Sequence, residues 1–153
     1  MSKDLYRHLL RPEVGVEALN ARAGGYLPGW FGIEVVSVEA GILCSRLPIK
    51  PEMLAPNGFL HAATIVALAD TSAGYATIAH LPAGAEGFTT IELKTNFFGT
   101  LTEGLLLCEA SLVHGGRTTQ VWDAEVRGEN GRRLALFRCT QMVLWAKAGA
   151  AGS

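Results

Sequence analysis

Cysteine is scarce in this 153-residue chain, and what there is excludes two classes of small protein. Cys44, Cys108 and Cys139 are too few and too far apart for a disulfide framework, and they offer no zinc-ligand spacing. Each lies in a strand-like run, where a free thiol acts as a small hydrophobe, so a reducing cytoplasm is expected. Charge of one sign is missing too. The 13 Lys and Arg residues are scattered among 14 Asp and Glu, and the net charge of −1 gives no basic stripe for counterion release, so no nucleic-acid partner is expected. Long uninterrupted apolar runs are also absent. The opening segment MSKDLYRHLLRPE has no apolar core followed by a small-residue cleavage site. The most apolar stretch, residues 58–80, is broken by His61, Thr64, Asp70 and Ser72. Neither a signal peptide nor a membrane span is therefore expected. No internal repeat, low-complexity tract or linker divides the chain.

What is present is a core. Hydrophobic residues make up 49% of the chain, enough for one well-buried domain. Residues 4–22 read as helical, divided at Pro12, and Gly24-Gly25 ends them, giving an N-terminal helical segment over 1–28. Residues 31–49 form a hairpin around Glu39-Ala40-Gly41. Residues 50–57 form a loop from which Asn57 could cap the next element. That element is a helix over 58–80, rich in Ala, with Ile65, Val66, Leu68, Tyr75 and Ile78 spread over most of its circumference, as in a helix buried nearly all round. Four strands follow at 89–98, 104–114, 118–127 and 132–145, joined by short turns and read as an antiparallel meander, with a loose tail at 146–153. The plan is α+β: one antiparallel sheet wrapped around one central helix, the main domain spanning 29–145. Trp30, Trp122 and Trp145 are expected in the core or an interface, and His8, His80 and His114 are assigned no role.

Asp70 is the misplaced charge in this pattern. A carboxylate among apolar residues loses hydration, so it has either a structural partner or a chemical task. The string Pro56-Asn57-Gly58-Phe59-Leu60-His61-Ala62-Ala63, followed by Ala67-Leu68-Ala69-Asp70-Thr71, resembles the hotdog-fold acyl-CoA thioesterases of the phenylacetate-degradation type. That family has Gly-x-x-His-Gly-Gly at the start of its central helix and an acid nine positions after the His. Gly58, His61 and Asp70 match these positions. Residues 90–97, Thr-Ile-Glu-Leu-Lys-Thr-Asn-Phe, resemble its third strand, and Gly116-Arg117 and Gly131 fall where its later turns lie. The chain departs from the pattern twice. Ala62-Ala63 replaces Gly-Gly, which keeps both N–H groups and adds two methyls, and Ala55 stands where the family often has Asn, six residues before the His.

The resemblance implies hydrolysis of an acyl-CoA to free acid and CoA, with a hydratase or dehydratase and a noncatalytic acyl-CoA-binding module as alternatives. Asp70 would activate water or attack the carbonyl itself. The Ala62 amide, at the positive N-terminal end of the helix, is the oxyanion donor by position. His61 would orient the loop, and Gly58 would permit its turn. Thr90 is carried over as a group placing water near the acid; Asn57, Ala63 and Arg117 are carried over as substrate contacts. No metal or redox cofactor is implied. Residues nine apart on a helix differ by roughly half a turn and about 13.5 Å of rise, so His61-Ala62 and Asp70 of one chain cannot share a site. A homodimer with two composite sites is expected, with a further pairing into a tetramer left open.

Overall fold

The computed structural model describes residues 9–148. The sheet has six antiparallel strands: β1 (Glu34–Glu39), β2 (Ile42–Pro48), β3 (Gly87–Phe97), β4 (Leu105–Gly115), β5 (Thr119–Gly128) and β6 (Arg133–Leu144). Two five-residue helices, α1 (Val16–Asn20) and α2 (Leu27–Phe31), precede it, and the long α3 (Ala62–Ala79) packs across it. The hairpin turns at Ala40-Gly41, where Gly41 has φ +76° and its left-handed conformation suits a residue without Cβ. Among the described residues no helix is long and apolar enough to cross a membrane.

The strand order is β1-β2-β4-β5-β6-β3. Only β4, β5 and β6 form a meander, which corrects the expected run of four. Residues 98–104 carry the chain from β3 at one edge to β4 beside β2, and β3 pairs with β6 instead, Leu93 opposite Cys139 and Phe97 opposite Ala135. Connection length alone could not reveal this, since a seven-residue loop can serve a hairpin or a crossing.

The N-terminal region also differs from expectation. Residues 1–8 lie outside the described ones. Beyond them the helical content is α1 alone before Gly24, and α2 straddles the expected boundary at 28/29. Asn20 ties α1 to the sheet, its side chain both accepting from the Val35 N–H and donating to the Val35 carbonyl. Of the expected tail, residues 149–153 lie outside the described ones.

The core lies between α3 and the concave face of the sheet, with Leu43, Leu47, Leu106, Trp122, Ala124 and Phe137 packed around Leu68, Ala69, Ala73 and Ala76. Small residues on α3 let the helix sit close to the strands. His80, directly after α3, is fully buried: its Nε2 accepts the Gly41 N–H, its Nδ1 donates to the Ala76 carbonyl, and its ring meets Trp122 edge-on. It fastens the helix C-terminus to the β1–β2 turn.

Two surfaces are not covered. On α3, residues 62, 63, 66, 67, 70, 71 and 78 keep partial or full exposure while the rest of the helix is buried, so the burial is less complete than the composition suggested. Beside that stripe runs β3, an edge strand with one free side, on which Ile91, Leu93 and Phe97 are 53%, 42% and 46% exposed.

Candidate active site

The approach to α3 is built by the loop before it. The helix begins at Ala62, not at Gly58, and its N-cap is His61, not Asn57. Asn57 turns its Oδ1 back onto the Phe59 N–H at 3.1 Å, closing a local turn in which Gly58 takes φ +87°. Both are exposed loop residues, and neither lines the cavities described below. The His61 backbone is pinned by its N–H to the Met53 carbonyl, and Thr64 Oγ1 donates to the same carbonyl. With the backbone thus fixed, His61 Nδ1 accepts the Ala63 N–H at 2.9 Å. The cap leaves one first-turn donor over. Thr64 N–H goes to the His61 carbonyl, and the Ala62 N–H has no acceptor among the described residues.

This helix end opens on a cleft of about 440 Å³, walled by Trp30, Phe31, Met53 and Leu54, with Lys50 and Glu52 at its polar side and His61, Ala63 and Thr64 at the helix. Trp30 is 79% exposed at this cleft and so is not in the core, whereas Trp122, at 0%, is. Lys50 and Trp30 were not legible as site residues, because a lone Lys in a loop and a Trp in a five-residue helix carry no periodic signal.

Asp70 lies elsewhere. Eight residues into α3, it lines a separate cavity of about 210 Å³ with Thr71, Gly74, Tyr75 and Ile78 of the same helix, Thr90 and Phe88 of β3, and Pro28 of α2. A bulge at Ile91 shifts the β3 register between Thr90 and Glu92, so that Thr90 pairs with the buried Gln141 and Leu93 with the buried Cys139. Thr90 Oγ1 donates to Gln141 Oε1 at 2.7 Å, and its lone pairs remain free to accept. Asp70 Oδ1 is buried with no hydrogen-bond partner among the described residues, and burial raises the carboxyl's pKa from its ordinary value.

The structure thus brings Asp70 and Thr90 together, and His61, Ala62 and Ala63 together, in two regions about 12–13.5 Å apart along one helix. Arg117 joins neither. Its guanidinium stacks 4.6 Å over the Trp145 ring, whose Nε1 donates to the Arg117 carbonyl, at the β4–β5 turn. No cluster of three or more His, Cys, Asp or Glu that could hold a metal occurs among the described residues.

One six-stranded antiparallel sheet with one long helix packed across it is the hotdog fold. The family is equally definite: residues 57–135, just over half of the chain, match the Thioesterase superfamily model, and the chain belongs to that superfamily. It is 31% identical over 110 residues to the 1,4-dihydroxy-2-naphthoyl-CoA hydrolase of Listeria monocytogenes, covering 72% of this chain and 89% of that protein. It is 30% identical over 132 residues to the proofreading thioesterase EntH of Klebsiella pneumoniae, covering 86% and 96%. The crystal structure of a single-residue mutant of thioesterase PA1618 from Pseudomonas aeruginosa superposes with a TM-score of 0.84 at 27% identity, covering 89% of this chain and 98% of that one.

Proposed function

We propose that this thioesterase hydrolyses acyl-CoA to the free acid and CoA at two composite sites of a homodimer. Each site pairs the α3 N-terminus of one subunit with Asp70 and Thr90 of the other. The observation that carries the reading is the division of the machinery: the free Ala62 N–H and the unpaired Asp70 lie on one straight helix, too far apart to meet at one carbonyl. A second copy also answers the open surfaces. An eleven-residue edge strand with exposed Ile91, Leu93 and Phe97 is a pairing template, and the half-open stripe of α3 holding Asp70 lies beside it.

In this reading the thioester carbonyl oxygen points at the Ala62 N–H, where the helix dipole favours developing negative charge. Water sits between Asp70 and Thr90, one proton toward the carboxylate and the other toward the Thr90 oxygen, whose own proton is committed to Gln141. Asp70 takes the water proton as hydroxide attacks the carbonyl carbon. The tetrahedral oxyanion is held by Ala62 N–H, the C–S bond breaks, and the CoA thiolate leaves with the proton from Asp70. Direct attack by Asp70, through an anhydride that water then opens, uses the same groups. His61 acts by holding the first turn, and the Ala63 methyl narrows the cleft on the acceptor side. Only protein groups and water enter this reaction.

A panel of acyl-CoAs assayed by release of free thiol tests the reading. The wild-type protein should turn over some members of the panel. Asp70→Asn should lower kcat by about 10²–10⁴ while still binding acyl-CoA. Absence of hydrolysis across aromatic and aliphatic members would overturn the assignment.

A further inference from the structure

Two glutamines stand side by side in the sheet, and their hydrogen bonds differ. Gln120 of β5 is directly opposite Gln141 of β6, and both are fully buried. Gln120 is used at both ends: its Nε2 donates to the His80 carbonyl, and its Oε1 accepts the Trp122 indole N–H. One partner can only accept and the other can only donate, so this amide has a fixed orientation and a structural task. Gln141 is used at one end. Its Oε1 accepts the Thr90 hydroxyl at 2.7 Å, and its Nε2 is buried with no partner among the described residues.

Leaving a buried donor unpaired costs stability, and an apolar side chain of similar size would avoid that cost. What the Gln141 amide does is confined to Thr90. Thr90 is an exposed residue of the edge strand β3 and lines the same cavity as Asp70, so water would satisfy its hydroxyl without any help from the core. The bond to Gln141 therefore selects and does not merely satisfy. A threonine hydroxyl has one proton, and the proton given to Gln141 is not available to Asp70. That matters because a hydroxyl donating to a carboxylate stabilises its charged form and weakens it as a base. The other groups around Asp70 that titrate are Tyr75 of the same helix, which lines the cavity, and Cys139 of β6, whose thiol is pushed up to about 12 by burial and then by the Asp70 charge. Both are neutral over the range in which a carboxyl titrates.

We infer that Gln141 is a positioning residue for the hydrolysis: by holding the Thr90 proton it withholds that proton from Asp70, and the carboxylate stays free to take one from water. This rests on the reading of Asp70 as the base, and it adds to that reading a fully buried residue that acts only through Thr90. The opposite orientation of the Gln141 amide would donate Nε2–H to Thr90 and release the Thr90 proton toward Asp70, with the reverse effect on the acid.

The test reads Asp70 directly and needs no turnover. The chain has three aspartates, Asp4, Asp70 and Asp123, so protein isotope-labelled at the aspartate carboxyl carbon gives a simple nuclear magnetic resonance titration in which Asp70→Asn identifies the signal of interest. Thr90→Ala should leave the proton affinity of Asp70 within about two-fold of wild type, because the lost hydroxyl gave its proton elsewhere. Gln141→Met should lower that affinity about ten-fold, because the released Thr90 proton reaches Asp70, and the Thr90→Ala/Gln141→Met double variant should cancel the fall. In steady-state kinetics Gln141→Met should lower kcat about five- to ten-fold with little change in KM, and should do nothing further in the Thr90→Ala background. A glutamine with a packing role alone would move the melting temperature and leave the titration where it was. A ten-fold rise in Asp70 proton affinity in Thr90→Ala would show that Thr90 already donates to the acid, and would overturn the inference whether or not Gln141→Met folds. An unmoved titration in folded Gln141→Met would overturn it too. If wild type hydrolyses no acyl-CoA while the titrations move as stated, the thioesterase reading fails and the hold of Gln141 on Thr90 and Asp70 stands.

Discussion

Thr90 Oγ1 gives its proton to Gln141 Oε1 across 2.7 Å, and that bond leaves the hydroxyl of a residue that shares a cavity with Asp70 as an acceptor. Water placed between two acceptors points a lone pair away from both, toward an electrophile. Thr90→Ala should therefore lower kcat by about five- to ten-fold, the value of one hydrogen bond, with little change in KM, and Thr90→Ser should restore most of it. Steady-state kinetics on a single acyl-CoA decides this; equal rates for Ala and Ser variants would remove Thr90 from the site.

Asp70 supports a prediction in which activity and stability move in opposite directions. Its folded pKa is raised by burial, so the folded state holds the proton to higher pH than the unfolded chain does. The stability that protonated Asp70 allows is fully present below the ordinary carboxylate pKa of about 4 and is lost as pH rises through the folded value. Above the unfolded value the buried carboxyl is therefore a burden on the fold. Asp70→Asn should accordingly raise the melting temperature at pH 7 while abolishing most turnover, a trade seen in thermal denaturation run beside the activity assay. In wild type, kcat/KM should fall on the acid side with an apparent pKa above about 4.

His80 has the opposite sign. Burial, the largest cause, pulls its pKa below the ordinary value, and its Nε2 is needed as an acceptor for the Gly41 N–H. The unfolded chain binds a proton there first as pH falls. Stability present above about pH 6.5 should decline below it. Urea midpoints measured between pH 8 and pH 5 should show this slope, and His80→Gln should flatten it, even if the variant is less stable throughout.

His61 is predicted to matter through the helix and not through proton transfer. Removing the Nδ1 acceptor of the Ala63 N–H, His61→Ala should cost about 1 kcal/mol, a few degrees in Tm, whereas His61→Asn retains a good cap and should recover most of it. A destabilised Asn variant would contradict the capping role.

The sheet, the long helix and the oddity of Asp70 were legible because each has a local signature: alternation, all-round apolarity, a charge out of place. The strand order was not, since the pairing of Thr90 with Gln141 spans 51 positions and leaves no mark in either strand's own pattern. The cap was misplaced for a similar reason. Asn57 and His61 both suit a helix start, and only the Met53 carbonyl, which holds His61 and Thr64, decides between them. Trp30 and Tyr75 could be counted but not located. A stripe at positions 70, 74 and 78 would have hinted at the cavity wall, yet the same spacing describes any buried helix face.

The central claim is that one thioester is served by two chains, and mixed dimers test it most directly. Ala62 is the first helical residue, preceded by His61 at φ −67° and ψ 135°, a geometry that proline tolerates, so Ala62→Pro deletes the free N–H with little disturbance of the helix. Each of Ala62→Pro and Asp70→Asn should be nearly inactive alone. Co-expressed with distinct tags and purified as the heterodimer, they should regain one working site of two, close to half the wild-type turnover per dimer. A heterodimer no more active than its parents, or a wild-type protein that sediments as an active monomer at micromolar concentration, would contradict the account.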